Sequence, residues 1–222
     1  MRNCYVEQVR LLMRLLPAIA AEKVFALKGG SAINLFYRDM PRFSVDIDLT
    51  YVPIEDRTAS LRHIDATLDR IIDSFGRSNS DVRTQRIAAG GNLDTRILAS
   101  RGATSVKIET SPVMRGTVLP PVSMRVSETV QETFGFAEMP VLAFEDLCAG
   151  KLHAALDRQH PRDIYDVHLL YENEGLTDDL FRVFLVYVCA SGRPPHELLA
   201  PSAALWNIDQ WHAMLDGPHH PK

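Results

Sequence analysis

Asp46 and Asp48, separated by Ile47, are the residues of this chain with the most chemistry in their spacing. They close the window FALKGGSAINLFYRDMPRFSVDIDL, residues 25–49, which reads as apolar strand, Gly29-Gly30-Ser31 turn, short helix, basic loop and second strand. Side chains two apart in a strand share a face, so both carboxylates point one way while Val45, Ile47 and Leu49 point into a core. Paired carboxylates repel unless they are exposed or a cation sits between them. Mg2+, or Mn2+ in its place, meets that need with oxygen ligands, one or two carboxylates plus substrate phosphates. The Gly29-Gly30-Ser31 turn is a phosphate cradle: glycines let backbone N–H groups approach an anion, and the following helix starts with its positive end there. Ser31 would add its hydroxyl and backbone N–H. Lys28 is placed either to meet phosphate or to stay in solvent. Ser44, two residues before Asp46, lines the same face as a substrate contact or as support for a metal ligand. An isolated D-x-D also suits an edge strand with solvated acids, and an isolated Gly-Gly a plain turn. Their succession is what points to nucleotide chemistry.

The elements that must position these groups follow from periodicity. Val6, Val9, Leu12, Leu16 and Ile19 predict a helix over 4–22, with Pro17 the place for a kink. Residues 24–27 form a short strand, 31–37 a short helix capped by Ser31, and 45–52 the aspartate strand. Leu61, Ile64, Leu68, Ile71, Ile72 and Phe75 make one stripe of a helix over 55–75. Strands are expected at 82–88, 93–99 and 105–110, with Gly90-Gly91 turning between the first two. A Pro-rich stretch, 112–123, reads as loop with a short strand around Val118. Helices are expected at 144–156, 162–174, 177–190 and 207–215. The chain thus divides into an α+β lobe, residues 1–125, a helical lobe, 126–216, and a flexible tail, 217–222. A cleft between lobes is the natural place for a ligand.

Composition narrows the class. The chain has 222 residues, 46% of them hydrophobic, enough for one large domain or two small lobes. Its net charge of −4 argues against non-specific coating of nucleic acid, although a local basic groove is compatible with it. Cys4, Cys148 and Cys189 give no disulfide framework and no zinc set, which suits a reducing, cytoplasmic setting. Arg10 and Arg14 interrupt the N-terminal apolar residues, so a signal peptide is not expected, and no apolar run is long enough to span a membrane.

A strand ending in Gly-Gly-Ser-Ala, a short helix and then R-x-S-x-D-I-D-L resembles the nucleotidyltransferases of the polymerase-β superfamily. More narrowly it resembles the AbiEii/AbiGii-type toxins of bacterial type IV toxin–antitoxin systems. KLHAALDR at 151–158 and RDIYDV at 162–167 resemble that family's second signature, in the family's order. The resemblance covers roughly residues 20–172. It implies a polymerase-β-like nucleotidyltransferase lobe with a mixed sheet, followed by a helical lobe. It implies Asp46 and Asp48 as catalytic ligands of two divalent metals, Lys151 as the lysine that binds the triphosphate, and Asp166 as the terminal active-site aspartate. Lys151 would otherwise be a surface lysine lying along apolar neighbours. The superfamily places a third carboxylate on a later strand. Glu109 fits that position, and an ordinary cross-strand ion pair is the alternative reading. Arg158, Arg162 and Asp163 would support the site, although helix capping and structural pairing account for them equally. The resemblance further implies an NTP substrate, tRNA as acceptor at its 3′ end, and a cognate antitoxin as partner. Arg38 and Arg42 in the loop, with Arg83, Arg86 and Arg96 on nearby strands, are then candidates to meet RNA phosphates, some of the last three being simply solvated surface. Rival readings are a transferase acting on a protein or aminoglycoside-like hydroxyl, and a non-catalytic module that binds NTP or an antitoxin.

Overall fold

The computed structural model describes residues 2–87, 95–111 and 113–200. The expected Gly90-Gly91 turn, the helix at 207–215 and the tail at 217–222 lie outside the described residues. Two compact units divide the chain: Met1–Thr117 with Pro121–Leu142, and Val118–Pro120 with Ala143–Lys222.

The first unit is built on a mixed seven-stranded sheet, in the order β3-β4-β5-β2-β1-β7-β6. The strands are β1 (Phe25–Lys28), β2 (Ile47–Tyr51), β3 (Arg83–Ile87), β4 (Arg96–Arg101), β5 (Thr104–Thr110), β6 (Val122–Arg125) and β7 (Glu138–Val141). β1 runs antiparallel to β2 and parallel to β7, and β2 runs parallel to β5. Helix α1 (Arg2–Ala20) packs on β5 and β7, burying Leu12, Leu15, Leu16 and Ile19 completely. Phe25, Leu27, Ile47, Leu49 and Tyr51, on the paired strands β1 and β2, are all nearly or fully buried and belong to the core of this unit. Helix α3 (Arg57–Ser78) buries Ile64, Leu68, Ile71 and Phe75 of the expected stripe, leaving Leu61 and Ile72 half-buried at its edges, and is capped by the Asp56 carboxylate accepting from Ala59 N at 2.9 Å.

Two expectations need correction here. The stretch from residue 126 is not helical throughout: β7 lies within it, pairs with β6 and joins β1 at Leu27–Val141. The first unit therefore reaches Leu142, not residue 125, and includes the short helix α4 (Glu128–Phe134). Nor is there a strand around Val118, whose backbone N–H is instead spent on a buried carboxylate described below.

The second unit holds α5 (Phe144–Arg158), α6 (Pro161–Asn173), α7 (Asp178–Cys189) and α8 (Pro195–Leu199). Cys148, Ala149, Leu170, Leu180, Val183, Phe184, Val188 and Leu198 form its core. Pro161 opens α6, where its missing N–H costs nothing, and Thr177 caps α7 through Leu180 N at 3.2 Å. Among the described residues no helix is long and apolar enough to cross a membrane.

Candidate active site

The strand-to-helix turn after β1 is tighter than a sequence motif can say. Gly29 has φ +74°, a region that residues with a Cβ rarely enter. A Cβ there would lie 2.5 Å from Asp48 Oδ2, so the carboxylate sits directly against the glycine backbone. At Gly30 a Cβ would meet Ser44 Oγ at 2.7 Å and Arg42 Nη2 at 2.9 Å. Both glycines are therefore set by close approach, one of a carboxylate and one of a serine and a guanidinium.

Ser31 does not cap this helix. Helix α2 (Gly29–Ala32) starts two residues earlier and runs into a wider, π-type turn over Ile33–Tyr37. Ser31 lies inside, fully buried, and its hydroxyl donates to the Asp46 backbone carbonyl, with Ser44 Oγ also 3.2 Å away. The hydroxyl expected at a phosphate thus braces the aspartate segment. Asn34, which the sequence reading passed over, is also fully buried. Its Nδ2 donates to Gly30 O at 2.7 Å, and its Oδ1 accepts from Arg42 N at 3.3 Å. Together these bonds fasten the glycine turn to the loop that carries Ser44 and Asp46. A buried amide using both ends is costly to lose, because each partner left behind would be unsatisfied.

β2 begins at Ile47, two residues later than expected, so Asp46 lies just ahead of the ladder and Asp48 within it. Lys28 is the cross-strand partner of Asp48 on one side, and Glu109 its partner on the other. Burial, reinforced by Asp46 and Glu109, holds the Asp48 carboxyl above the ordinary value, against the pull of Lys28 and Lys107. Glu109 itself is occupied: Oε1 accepts from Arg96 Nε at 2.8 Å, and Oε2 lies 2.9 Å from Lys107 Nζ. Burial works to raise its carboxyl, but Lys107 and Arg96 outweigh that and hold it below the ordinary range. Lys107 is raised in turn, chiefly by its hydrogen bond to Glu109. Among the described residues, no group of three His, Cys, Asp or Glu side chains is arranged to hold a metal. The geometry thus brings Asp46 and Asp48 together, while the expected third ligand is engaged by two cations.

In the second unit Lys151 is not a surface lysine. Its side chain is 10% exposed, and its ammonium lies 2.6 Å from Asp163 Oδ1 and 3.0 Å from Asp166 Oδ2. Arg158 Nε donates to the other Asp163 oxygen at 2.6 Å. Burial would raise the Asp163 carboxyl, but Arg158 and Lys151 hold it below its ordinary value. A buried ammonium without partners would cost several kcal/mol, so the two aspartates make a buried lysine possible here. Arg162 enters through its backbone N–H, which His160 Nδ1 accepts at 3.2 Å.

The arginines assigned to RNA fare unevenly. Arg42 is only 4% exposed and packs against Gly30. Arg86 pairs with Asp65 and Asp69, and Arg96 with Glu109. Arg38 is half-buried, and Arg83 is exposed on β3.

Comparison with known proteins supplies the family. The family model described as nucleotidyl transferase AbiEii toxin, type IV TA system, matches residues 10–221. Among solved structures, the chain is similar to the nucleotidyltransferase toxin MenT4 of Mycobacterium tuberculosis, at 15% identity and TM-score 0.69, over 95% of this chain and 81% of that one. It is more distantly similar to the antibiotic-resistance factor ANT(2″)-Ia in solution, at 16% identity and TM-score 0.46 over 84% and 92% of the two chains. A crystal structure of ANT(2″)-Ia with adenylyl-2″-tobramycin gives 17% identity and TM-score 0.45 over 82% and 97%. No curated protein matches. With the family model matching nearly the whole chain, the protein belongs to the AbiEii family of nucleotidyltransferase toxins of type IV toxin–antitoxin systems.

Proposed function

We propose that this toxin moves a nucleoside monophosphate from an NTP to the 3′-terminal hydroxyl of tRNA, in a reaction that needs a divalent cation. The observation that carries the reading is the Asp48 carboxylate lying against the Gly29 backbone, which joins a metal-type ligand to a phosphate-type turn. Asp46 and Asp48 fit a magnesium ion by donor chemistry: two carboxylates on a rigid segment, with room in the coordination sphere left to phosphate oxygens. Bound there, such an ion supplies charge neutralisation at the phosphates and acidity at the attacking hydroxyl.

The protein's own part is placement. The Gly29–Gly30 turn receives the β- and γ-phosphates through backbone N–H groups, and Lys151 adds a point charge to the triphosphate. The acceptor oxygen bonds to the α-phosphorus, the bond from that phosphorus to the β-phosphate bridging oxygen breaks, pyrophosphate leaves, and the hydroxyl proton passes to water. Little covalent work falls to side chains in phosphoryl-type transfer, so positioning and electrostatics account for rate. A cognate antitoxin is the partner that membership of the family implies.

The test is incubation of the protein with each labelled NTP, Mg2+ and total RNA, followed by gel separation. Label at the 3′ end of tRNA, abolished by Asp46→Asn together with growth arrest on expression, supports the reading. Transfer to protein or to a small-molecule hydroxyl, with tRNA ends unchanged, would move the acceptor elsewhere. Growth arrest that survives Asp46→Asn would remove catalysis from the toxic effect.

A further inference from the structure

The charged face around Asp48 is ordered by strand register. Across four neighbouring strands, Lys28 on β1, Asp48 on β2, Glu109 on β5 and Arg96 on β4 are successive cross-strand partners, so they stand in one row on one face. Two residues back along β5, Lys107 shares that face with Glu109. Parallel pairing of Ile47 with Ile108 sets Asp46, just ahead of β2, abreast of Lys107. Lys107 interacts electrostatically with Asp46 and Asp48 as well as bonding Glu109, and Lys28 interacts with Asp48. Three carboxylates therefore face three cations, and their formal charges cancel.

From this arrangement we infer that the face takes a single divalent cation, delivered together with the nucleotide, and that Lys107 supplies the charge a second cation would bring. This deepens the proposed function and rests on Asp46 and Asp48 being the ligands. A second divalent ion would need Glu109 as a ligand. Glu109 would have to release Arg96, held at 2.7 Å through Nη2 and 2.8 Å through Nε, and Lys107, held at 2.9 Å. The ion would then lie beside the Lys107 ammonium, a like charge at close range. One ion on Asp46 and Asp48 requires neither change. A face whose own charges cancel has little net attraction for a bare cation. A triphosphate brings the missing negative charge, so cation and nucleotide bind as a unit.

Equilibrium dialysis of the full chain against Mn2+, with and without a nucleoside α,β-methylene triphosphate, tests this by stoichiometry, with no turnover required. The expected result is one Mn2+ retained per chain-bound analogue, and no saturable Mn2+ binding when nucleotide is omitted. Two Mn2+ per bound analogue, or a saturable site without nucleotide, would overturn the inference while leaving the nucleotide site in place. No Mn2+ retained with the analogue would instead overturn the underlying metal reading, as would retention unchanged in Asp46→Asn. Lys107→Met should unmask Glu109, giving Mn2+ binding without nucleotide that Lys107→Met/Glu109→Gln removes. A folded Lys107→Met that binds Mn2+ as the wild type does would count against Lys107. If that variant fails to fold, the wild-type stoichiometry decides alone.

Discussion

Replacing Gly29 with alanine tests the turn where the site is tightest. The new Cβ would start 2.5 Å from Asp48 Oδ2, 0.5 Å inside the 3.0 Å distance below which real Cβ contacts essentially never fall. It would also meet Asp48 Cβ and Cγ at 3.2 Å, so the whole carboxylate must move. The positive φ adds a cost of about 1–2 kcal/mol for any residue with a Cβ. For a chain of this size that corresponds to a fall in Tm of roughly 2–8 °C. The chemical effect should be larger, because a misplacement near 1 Å costs about a hundredfold in a positioned reaction. We therefore expect kcat/KM for nucleotide transfer to fall by about two orders of magnitude while the protein stays folded. Gly76→Ala is the control: a Cβ there meets nothing within 4 Å, and within helix α3 alanine should add about 0.5–1 kcal/mol of stability. The assay is labelled-NTP transfer beside thermal unfolding of both variants. Transfer by Gly29→Ala within about threefold of wild type, under 1 kcal/mol of activation energy, would refute the idea that Asp48 must sit against this turn.

Other outcomes follow from the same geometry. Asp48→Asn keeps shape but removes the charge that would hold a cation, so transfer should fall at least about a hundredfold with folding intact, as circular dichroism can verify. Lys151→Ala should raise the NTP concentration needed for half-maximal transfer more than it affects acceptor binding; an unchanged NTP titration would leave Lys151 a purely structural partner of Asp163 and Asp166. Asp163 is held below its ordinary pKa, so its contribution to stability is present above the unfolded value, near pH 4, and is lost as pH falls through the folded value. Asp163→Asn should therefore be less stable than wild type at neutral pH but show a flatter loss in acid, measured by thermal unfolding between pH 3 and 7.

Much of this was legible in the sequence where periodicity is strong. Helices α5, α6 and α7 fall within two residues of their expected bounds, because each has an apolar stripe between a clear start and stop. β7 escaped notice because it has only four residues and contains Pro140, which argues against an interior strand. Arg42 was misplaced for a different reason. A basic residue in a loop looks solvent-facing, and only the notch at Gly30 reveals that a guanidinium packs there. Asn34 and Asp146 are single polar residues with no spacing signal, so their burial and bonding depend on contacts between distant segments. A cross-strand ion pair at Glu109 was open as an alternative, whereas the bond to Lys107 lies within the same strand. The Arg96 half of that arrangement needed the β4–β5 register.

The buried carboxylate of Asp146 has a consequence for how this protein could be cut or recombined. It accepts from Val118 N at 2.9 Å, Leu119 N at 2.8 Å and Tyr187 Oη at 3.0 Å, and the chain enters the helical unit at Val118–Pro120 before returning to complete the sheet. A fragment starting at Ala143 would lack two of the three donors and expose its maker to a penalty of about 1–3 kcal/mol or more for a charged group left unsatisfied. Inheritance of the helical unit as a module thus requires two crossovers rather than one. A single junction at Leu142, however natural it looks along the chain, would separate the acid from the backbone N–H groups that donate to it.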